Sequence, residues 1–375
     1  MNETGIGLRH GAFTIGVRCL DAEDVVWLRE NLRPAFEEEC ERAADVTIEC
    51  TVDPNAFDEI GVPDPRVGSP VQTGFVATAE RWPCFSMDGW VAEFPRLPAG
   101  EGGVLDTELG FLYRFVPGRG LVTVVARRPV TSIRIALLRL IREFAGGRFP
   151  DRGAMALHAS SLSCGETGVL ICGPKRAGKT SLLTYLLKDR DSRYIANDRS
   201  LVFRGAGATW SLSGIPTVVS VRADLPERLA LARARGAARW IARETLARAG
   251  TESRRDRSGA SLSLSPAQYL SLLDREARAE APLARILFPR IDPACEGIRA
   301  ERLSEAETRD RLEEAGMPPQ TTMFNPDLDS AAIAVQAKRL GAELAGSCSG
   351  HVVTLGRNAY VSEERPGDLL RRLPA

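Results

Sequence analysis

The sequence predicts a two-domain α/β protein: an α+β N-terminal domain over residues 1–130 and an α/β phosphate-loop domain over residues 131–375. Three observations carry this reading. Residues 169–184, VLICGPKRAGKTSLLT, place an apolar run, a glycine-bounded loop and a leucine-rich segment in direct succession. The segment before them, ALHASSLS–CGETG–GVLICG, reads as two strands around a tight turn, a β-hairpin whose second strand feeds the loop. The first 130 residues instead show short strand-like runs with one clear helix among them.

Each element has its own local signal. FTIGVRCL alternates well enough for a strand, and DAEDVVWLRENLRPAF reads as a helix with Asp21 as its N-cap. VTIECTV, GFVATAE, WVAEF, LGFLYRFV and LVTVVARR are strand candidates separated by Pro- and Gly-rich loops. In 131–149, Ile133, Ile135, Leu137, Leu138, Leu140, Ile141 and Phe144 fall at helical spacing, ending at Gly146-Gly147. After the phosphate loop, KTSLLTYLLKD predicts a helix and RYIAND a strand ending in polar residues. LVFRG, WSLSG and TVVSVR predict further strands. The Ala/Arg/Glu-rich stretch from 223 predicts helix, and 251–262 a polar loop. LARILFPRI and GIRAERL read as strands, SEAETRDRLEEAG as a helix from Ser304 to a Gly316 stop. DSAAIAVQAKRLGAELAG predicts a last helix and HVVTLG a closing strand.

Composition bounds the function. Apolar residues are 44% and charged residues 26%, the balance of an ordinary globular chain. Lys+Arg equals Asp+Glu at 49 each, so charge points to no nucleic-acid or membrane partner. The eight cysteines show no CxxC spacing and there are only three histidines, which argues against a metal cluster or disulfide framework. No run approaches the roughly 20 apolar residues of a membrane span, and MNETGIGLRHG lacks a signal-peptide pattern. The expectation is a cytoplasmic protein. Only four basic residues are lysines, at 175, 179, 188 and 338, and two of them lie in the loop.

Gly173-Pro174-Lys175-Arg176-Ala177-Gly178-Lys179-Thr180 fits G-x-x-x-x-G-K-[ST] at every fixed position. Glycines let backbone N–H groups curl around an anionic oxygen, and the following helix points its positive end at it. Lys179 reaches β/γ oxygens and the Thr180 hydroxyl ligates Mg²⁺. Gly173 to Thr180, with Ser181 after them, are therefore the candidate nucleotide-binding residues. Asn197-Asp198 ends the RYIAND strand, one βαβ step later. A carboxylate there can ligate Mg²⁺ or accept a proton from an attacking hydroxyl, or simply serve the turn. Thr180, Asp198 and Asn197 are the candidate metal ligands. His158 is either a satisfied strand histidine or, through the strand paired with the loop's strand, a neighbour of the γ-phosphate. Arg176, Arg222, Arg290, Arg254, Arg255 and Arg257 are weak candidates for charge stabilisation.

LHASSLSCGETGVLICGPKRAGKTSLLTYLL…RYIANDRSLVF resembles the C-terminal catalytic domain of the HPr kinase/phosphorylase family. SLSGIPTVVSV is similar to the Gly-x-Pro-Thr segment of its relatives in peptide natural-product clusters, and ARILFPRIDP…RAERLSEAE to their C-terminal segment. The resemblance covers about residues 131–360 and implies a phosphoenolpyruvate-carboxykinase/HPr-kinase-like α/β domain. It implies ATP- and Mg²⁺-dependent phosphorylation of a serine hydroxyl in a protein or peptide, with GTP as the alternative nucleotide. By position, Lys179 and Thr180 would bind phosphates and Mg²⁺, Asp198 would be the general base and His158 would support it. Two departures stand out. Asn197 replaces the first of two family aspartates, and the glycine-rich Glu-Ile-Arg-type signature of true HPr kinases is missing. The resemblance leaves open a small-molecule acceptor, a nucleotide-dependent scaffold and a homo-oligomer. The N-terminal half, a candidate substrate-binding module, resembles no family.

Overall fold

A computed structural model describes residues 4–11, 13–19, 21–39, 44–55, 102–106, 111–116, 120–126, 133–147, 153–205, 209–222, 261–317, 330–360 and 366–373. They fall into two units: residues 1–30, 36–148 and 319–330 in the first, and 31–35, 149–318 and 331–375 in the second.

In the first unit, β1 (Thr4–His10), β2 (Phe13–Cys19), β3 (Glu37–Glu39), β4 (Val46–Val52), β5 (Gly102–Asp106), β6 (Phe111–Val116) and β7 (Leu121–Ala126) form one sheet in the order β3-β1-β2-β4-β7-β6-β5. The β2–β4 and β4–β7 pairs are parallel and the others antiparallel. Period-two alternation explains the strands: Ile15, Val17, Ile48, Val122 and Val124 are fully or almost fully buried. Helix α1 (Ala22–Leu32) is capped as expected, with the Asp24 amide donating to Asp21 Oδ1 at 2.9 Å. The expected strands GFVATAE and WVAEF lie outside the described residues.

The 131–149 helix requires a correction to the expected domain boundary. As α2 (Ile133–Gly147) it belongs to the first unit, so the division falls near 148, not 130. An ion pair accounts for this: Arg134 Nε donates to Asp24 Oδ1 at 2.7 Å, with both side chains almost wholly buried. Burial raises the Asp24 pKa and the hydrogen bond from Arg134 opposes the rise. An unpaired buried carboxylate would be costly, so α2 is tied to α1.

The second unit holds the 173–180 loop. Its strands are β8 (Met155–Cys164), β9 (Thr167–Cys172), β10 (Ser192–Ala196), β11 (Arg199–Arg204), β12 (Trp210–Ile215), β13 (Val219–Arg222), β14 (Ser261–Leu264), β15 (Glu280–Glu296), β16 (Ile298–Arg302) and β17 (Ser349–Arg357). The expected hairpin is β8–β9, paired from Ala159–Cys172 to Cys164–Thr167. β9 also runs parallel to β15. β15 pairs β12, β12 pairs β11 and β11 pairs β8, so the pairing returns to its starting strand. β10 and β17-β16 extend the sheet outside this circuit.

The continuous apolar run of β9 follows from burial on both faces. Val169 and Ile171 join one core with Leu182, Leu183 and Leu355. Leu170 and Cys172 join the other with Leu157, Val202 and Ile286. Helix α3 (Lys179–Leu186) follows the loop. Helix α4 (Pro266–Leu273) carries a Ser265–Gln268 capping box. Helix α5 (Glu305–Ala315) carries a Ser304–Glu307 box. Helices α6 (Ser330–Ser347) and α7 (Pro366–Arg372) complete the unit.

Two local expectations change. Gly316 does end α5, but at φ −57, without the left-handed conformation expected of a glycine stop. Residues 261–262 begin β14 instead of closing the expected 251–262 loop, and 251–260 lie outside the described residues. The helix expected from 223 also lies outside them. Among the described residues, no helix is long and apolar enough to cross a membrane.

Candidate functional site

The site grows from the C-terminal end of β9. Cys172 ends the strand fully buried, and burial pushes its thiol up to about 12, so it stays protonated. The chain then turns through Gly173–Ala177, with Arg176 left-handed at φ 71 and the Ala177 amide donating to Pro174 O at 3.2 Å. Gly178 is the N-cap of α3 at φ 103, a conformation L side chains rarely adopt. A Cβ there would also sit 3.2 Å from Leu355 Cδ1 and 3.3 Å from Ile291 Cγ1. The backbone conformation calls for glycine, and a Cβ would in addition press on these two side chains.

No side chain caps the start of α3, although serines cap α4 and α5. Its first amides thus have no side-chain acceptor, which suits an anion. The Lys179 side chain folds back over the loop: its Nζ donates to Gly173 O at 2.7 Å and to Pro174 O at 3.1 Å. Burial lowers its pKa, and the nearby Asp198 carboxylate partly restores it. Thr180 and Ser181 are half-buried in the first turn. The Thr180 carbonyl accepts from Thr184 Oγ1 at 2.6 Å, and Thr184 Oγ1 lies 2.8 Å from Tyr269 Oη. Pro174, Lys175 and Arg176 are exposed at the loop tip.

His158 and Asp198 meet. His158 Nε2 lies 2.9 Å from Asp198 Oδ1, with side-chain exposures of 46% and 43%. The register explains this: His158 on β8 pairs with Arg199 on β11, so the turn before Arg199 delivers Asp198 to the imidazole. Arg199, which the sequence reading passed over, stands opposite His158.

Asn197 behaves differently from its expected role as a metal ligand. It is 8% exposed, and its amide faces inward. Its Oδ1 accepts from Tyr194 Oη at 2.6 Å and from Thr217 Oγ1 at 3.1 Å, while its Nδ2 donates to Val218 O at 3.2 Å. Its backbone carbonyl accepts from Ser160 Oγ at 2.6 Å. Burial raises the Tyr194 pKa well above the usual phenol value, which keeps it a donor. The Gly-x-Pro-Thr segment now has a physical meaning. A Cβ on Gly214 would fall 2.4 Å from Ala196 Cβ, and Thr217 binds Asn197. That segment was the only sequence signal for this network; Tyr194 and Ser160 gave none.

Of the arginine candidates, Arg290 donates to Thr354 Oγ1 at 3.0 Å beside the loop-facing end of β15. Arg222 is exposed at the end of β13. Arg254, Arg255 and Arg257 lie outside the described residues. Among the described residues, no group of three His, Cys, Asp or Glu side chains is arranged to hold a metal ion. A cation here would rest on the Thr180 hydroxyl, the Asp198 carboxylate and oxygens of a bound phosphate. That sparse oxygen set fits Mg²⁺, which keeps waters and shares nucleotide oxygens.

No family model matches this chain, and no curated protein matches it. A solved structure of the Hpr(Ser) kinase/phosphatase from Coxiella burnetii is similar to it at 15% sequence identity. The match covers 40% of this chain and 72% of that one, with a TM-score of 0.21. The likeness is a distant one.

Proposed function

We propose that this chain is an ATP- and Mg²⁺-dependent kinase that transfers the γ-phosphoryl group to a serine hydroxyl of a peptide or protein. The observation that carries this reading is the His158–Asp198 pair at 2.9 Å, with His158 on the strand hairpinned to the strand that feeds the 173–180 loop. A carboxylate held by an imidazole beside the loop suits removal of a proton from an attacking hydroxyl. Asp198 takes the acceptor hydroxyl proton while the new O–P bond forms and the bond to the β,γ-bridging oxygen breaks, releasing ADP. His158 orients the carboxylate. Lys179 exchanges the Gly173 and Pro174 carbonyls for phosphate oxygens, and the uncapped α3 amides cradle them. Thr180 and Asp198 would hold Mg²⁺, which would supply charge neutralisation on the phosphates. Nearly half-exposed, His158 and Asp198 are accessible to a hydroxyl carried on a macromolecule.

The test uses γ-labelled ATP with serine-containing peptide libraries and, in parallel, free serine and sugars. Lys179→Ala is expected to lower transfer about 10²- to 10³-fold, and Asp198→Asn about 10²- to 10⁴-fold. Intact transfer in Asp198→Asn beside a dead Lys179→Ala would remove the base assignment. Labelling of free serine or a sugar alone would move the acceptor to a small molecule. Tight, Mg²⁺-independent nucleotide binding with no transfer would make the chain a scaffold.

A further inference from the structure

We infer that Asn197 is a positioning residue that holds Asp198 against His158, and that it does not bind the divalent cation. The inference rests on the kinase reading above and narrows its metal site to one carboxylate. The argument is one of donors and acceptors. Both lone-pair directions of Asn197 Oδ1 are used, by the Tyr194 and Thr217 hydroxyls. A cation would have to displace two hydrogen bonds inside a site that is 8% exposed. The other half of the amide donates to Val218 O. A carboxylate has no hydrogen to give, so aspartate would set an anionic oxygen against that carbonyl. An apolar residue would strand both hydroxyls. Only an amide serves all three partners.

These bonds converge on the residue that immediately precedes Asp198. Ser160 on β8, Tyr194 on β10 and the 217–218 segment each fix part of it. Gly214 lets β12 come close enough for that segment to reach. The turn carrying Asp198 is therefore held from three elements. The Tyr194 ring also packs edge-on against Tyr269, centroids 5.9 Å apart, and Tyr269 bonds Thr184 one turn after Thr180. Two sets of buried hydrogen bonds, joined by this ring contact, thus link the start of α3 to the Asp198 turn.

The test compares Asn197→Asp, Asn197→Ala, Tyr194→Phe and Thr217→Val. The last two are near-isosteric and remove one donor each, which covers the case where Asn197 variants fail to fold. Mg²⁺ titrations at saturating ATP read the metal, steady-state transfer reads kcat, and imidazole NMR reads position without requiring activity. With three histidines in the chain, His10 and His351 serve as internal controls. Expected are a kcat loss of about 10- to 100-fold in the folded variants, an unchanged half-saturating Mg²⁺ concentration, and His158 signals that move while those of His10 and His351 stay. The inference is overturned if Asn197→Asp lowers the half-saturating Mg²⁺ concentration with kcat kept, or if Tyr194→Phe and Thr217→Val leave both kcat and the His158 signals unchanged. If no acceptor is ever phosphorylated, the kinase reading fails, and the NMR comparison alone decides whether Asn197 positions Asp198.

Discussion

Lys179 is an electrostatic load on the fold. Burial lowers its pKa from the model-compound value of 10.5, so the unfolded chain holds that proton more tightly than the folded one. The cost of the buried charge is fully present below the lowered pKa and is relieved as pH rises towards 10.5. The stability of Lys179→Met relative to wild type should therefore be most favourable near neutral pH and decline as that window is crossed. Denaturant melts at several pH values check this, and a difference independent of pH would contradict it. The residues of the site differed in legibility. The loop was readable because its spacing is a backbone requirement. The Asp198–His158 pair was suggested by strand adjacency and reached only through the resemblance. The inward turn of the Asn197 amide was not legible, because residue type alone does not tell which way an amide turns. Its partners lie 3, 20, 21 and 37 positions away.

At the scale of elements, α3 is open at its start and closed at its end. The carbonyls of the turn just past its last residue are collected by Arg275, whose Nε donates to Leu187 O at 2.7 Å and Nη2 to Lys188 O at 2.7 Å. Arg275 follows the left-handed Asp274 that ends α4. A guanidinium at a helix C-terminus also meets the negative end of its dipole. Arg275→Ala should cost about 2 kcal/mol, read as a fall in Tm of several degrees, with ATP affinity little changed because the phosphate end of α3 is untouched. Loss of nucleotide binding at unchanged Tm would show that the two ends are coupled. Elements were legible where burial writes a period. β9 reads as a buried strand because both its faces are covered, and α5 reads as a helix because Ser304 caps its start and Gly316 ends it. Helix α4 went unread although Ser265-Pro266 announces it, because eight residues give too short a period to stand out. The 17 residues of β15 exceeded the expected LARILFPRI because its ends pair with different neighbours, β12 first and β17 last.

For the whole molecule, the two-part organisation was legible, and its boundary was not. Helical spacing located α2, but spacing cannot say which core a helix joins. The Arg134–Asp24 pair decides that, 110 residues apart in sequence. The circuit of β8, β9, β15, β12 and β11 bears on how the second unit comes apart. Unzipping starts from a strand with a free edge, and β9 has none, being paired to β8 on one side and β15 on the other. Its amides should exchange with solvent deuterium only when the unit opens globally, so Val169–Cys172 are expected among the slowest in the chain, far slower than Pro174–Ala177 next to them. Exchange of the 169–172 amides at loop-like rates would mean the circuit opens locally. A loop rooted this way can change its own conformation without disturbing the strand from which it springs.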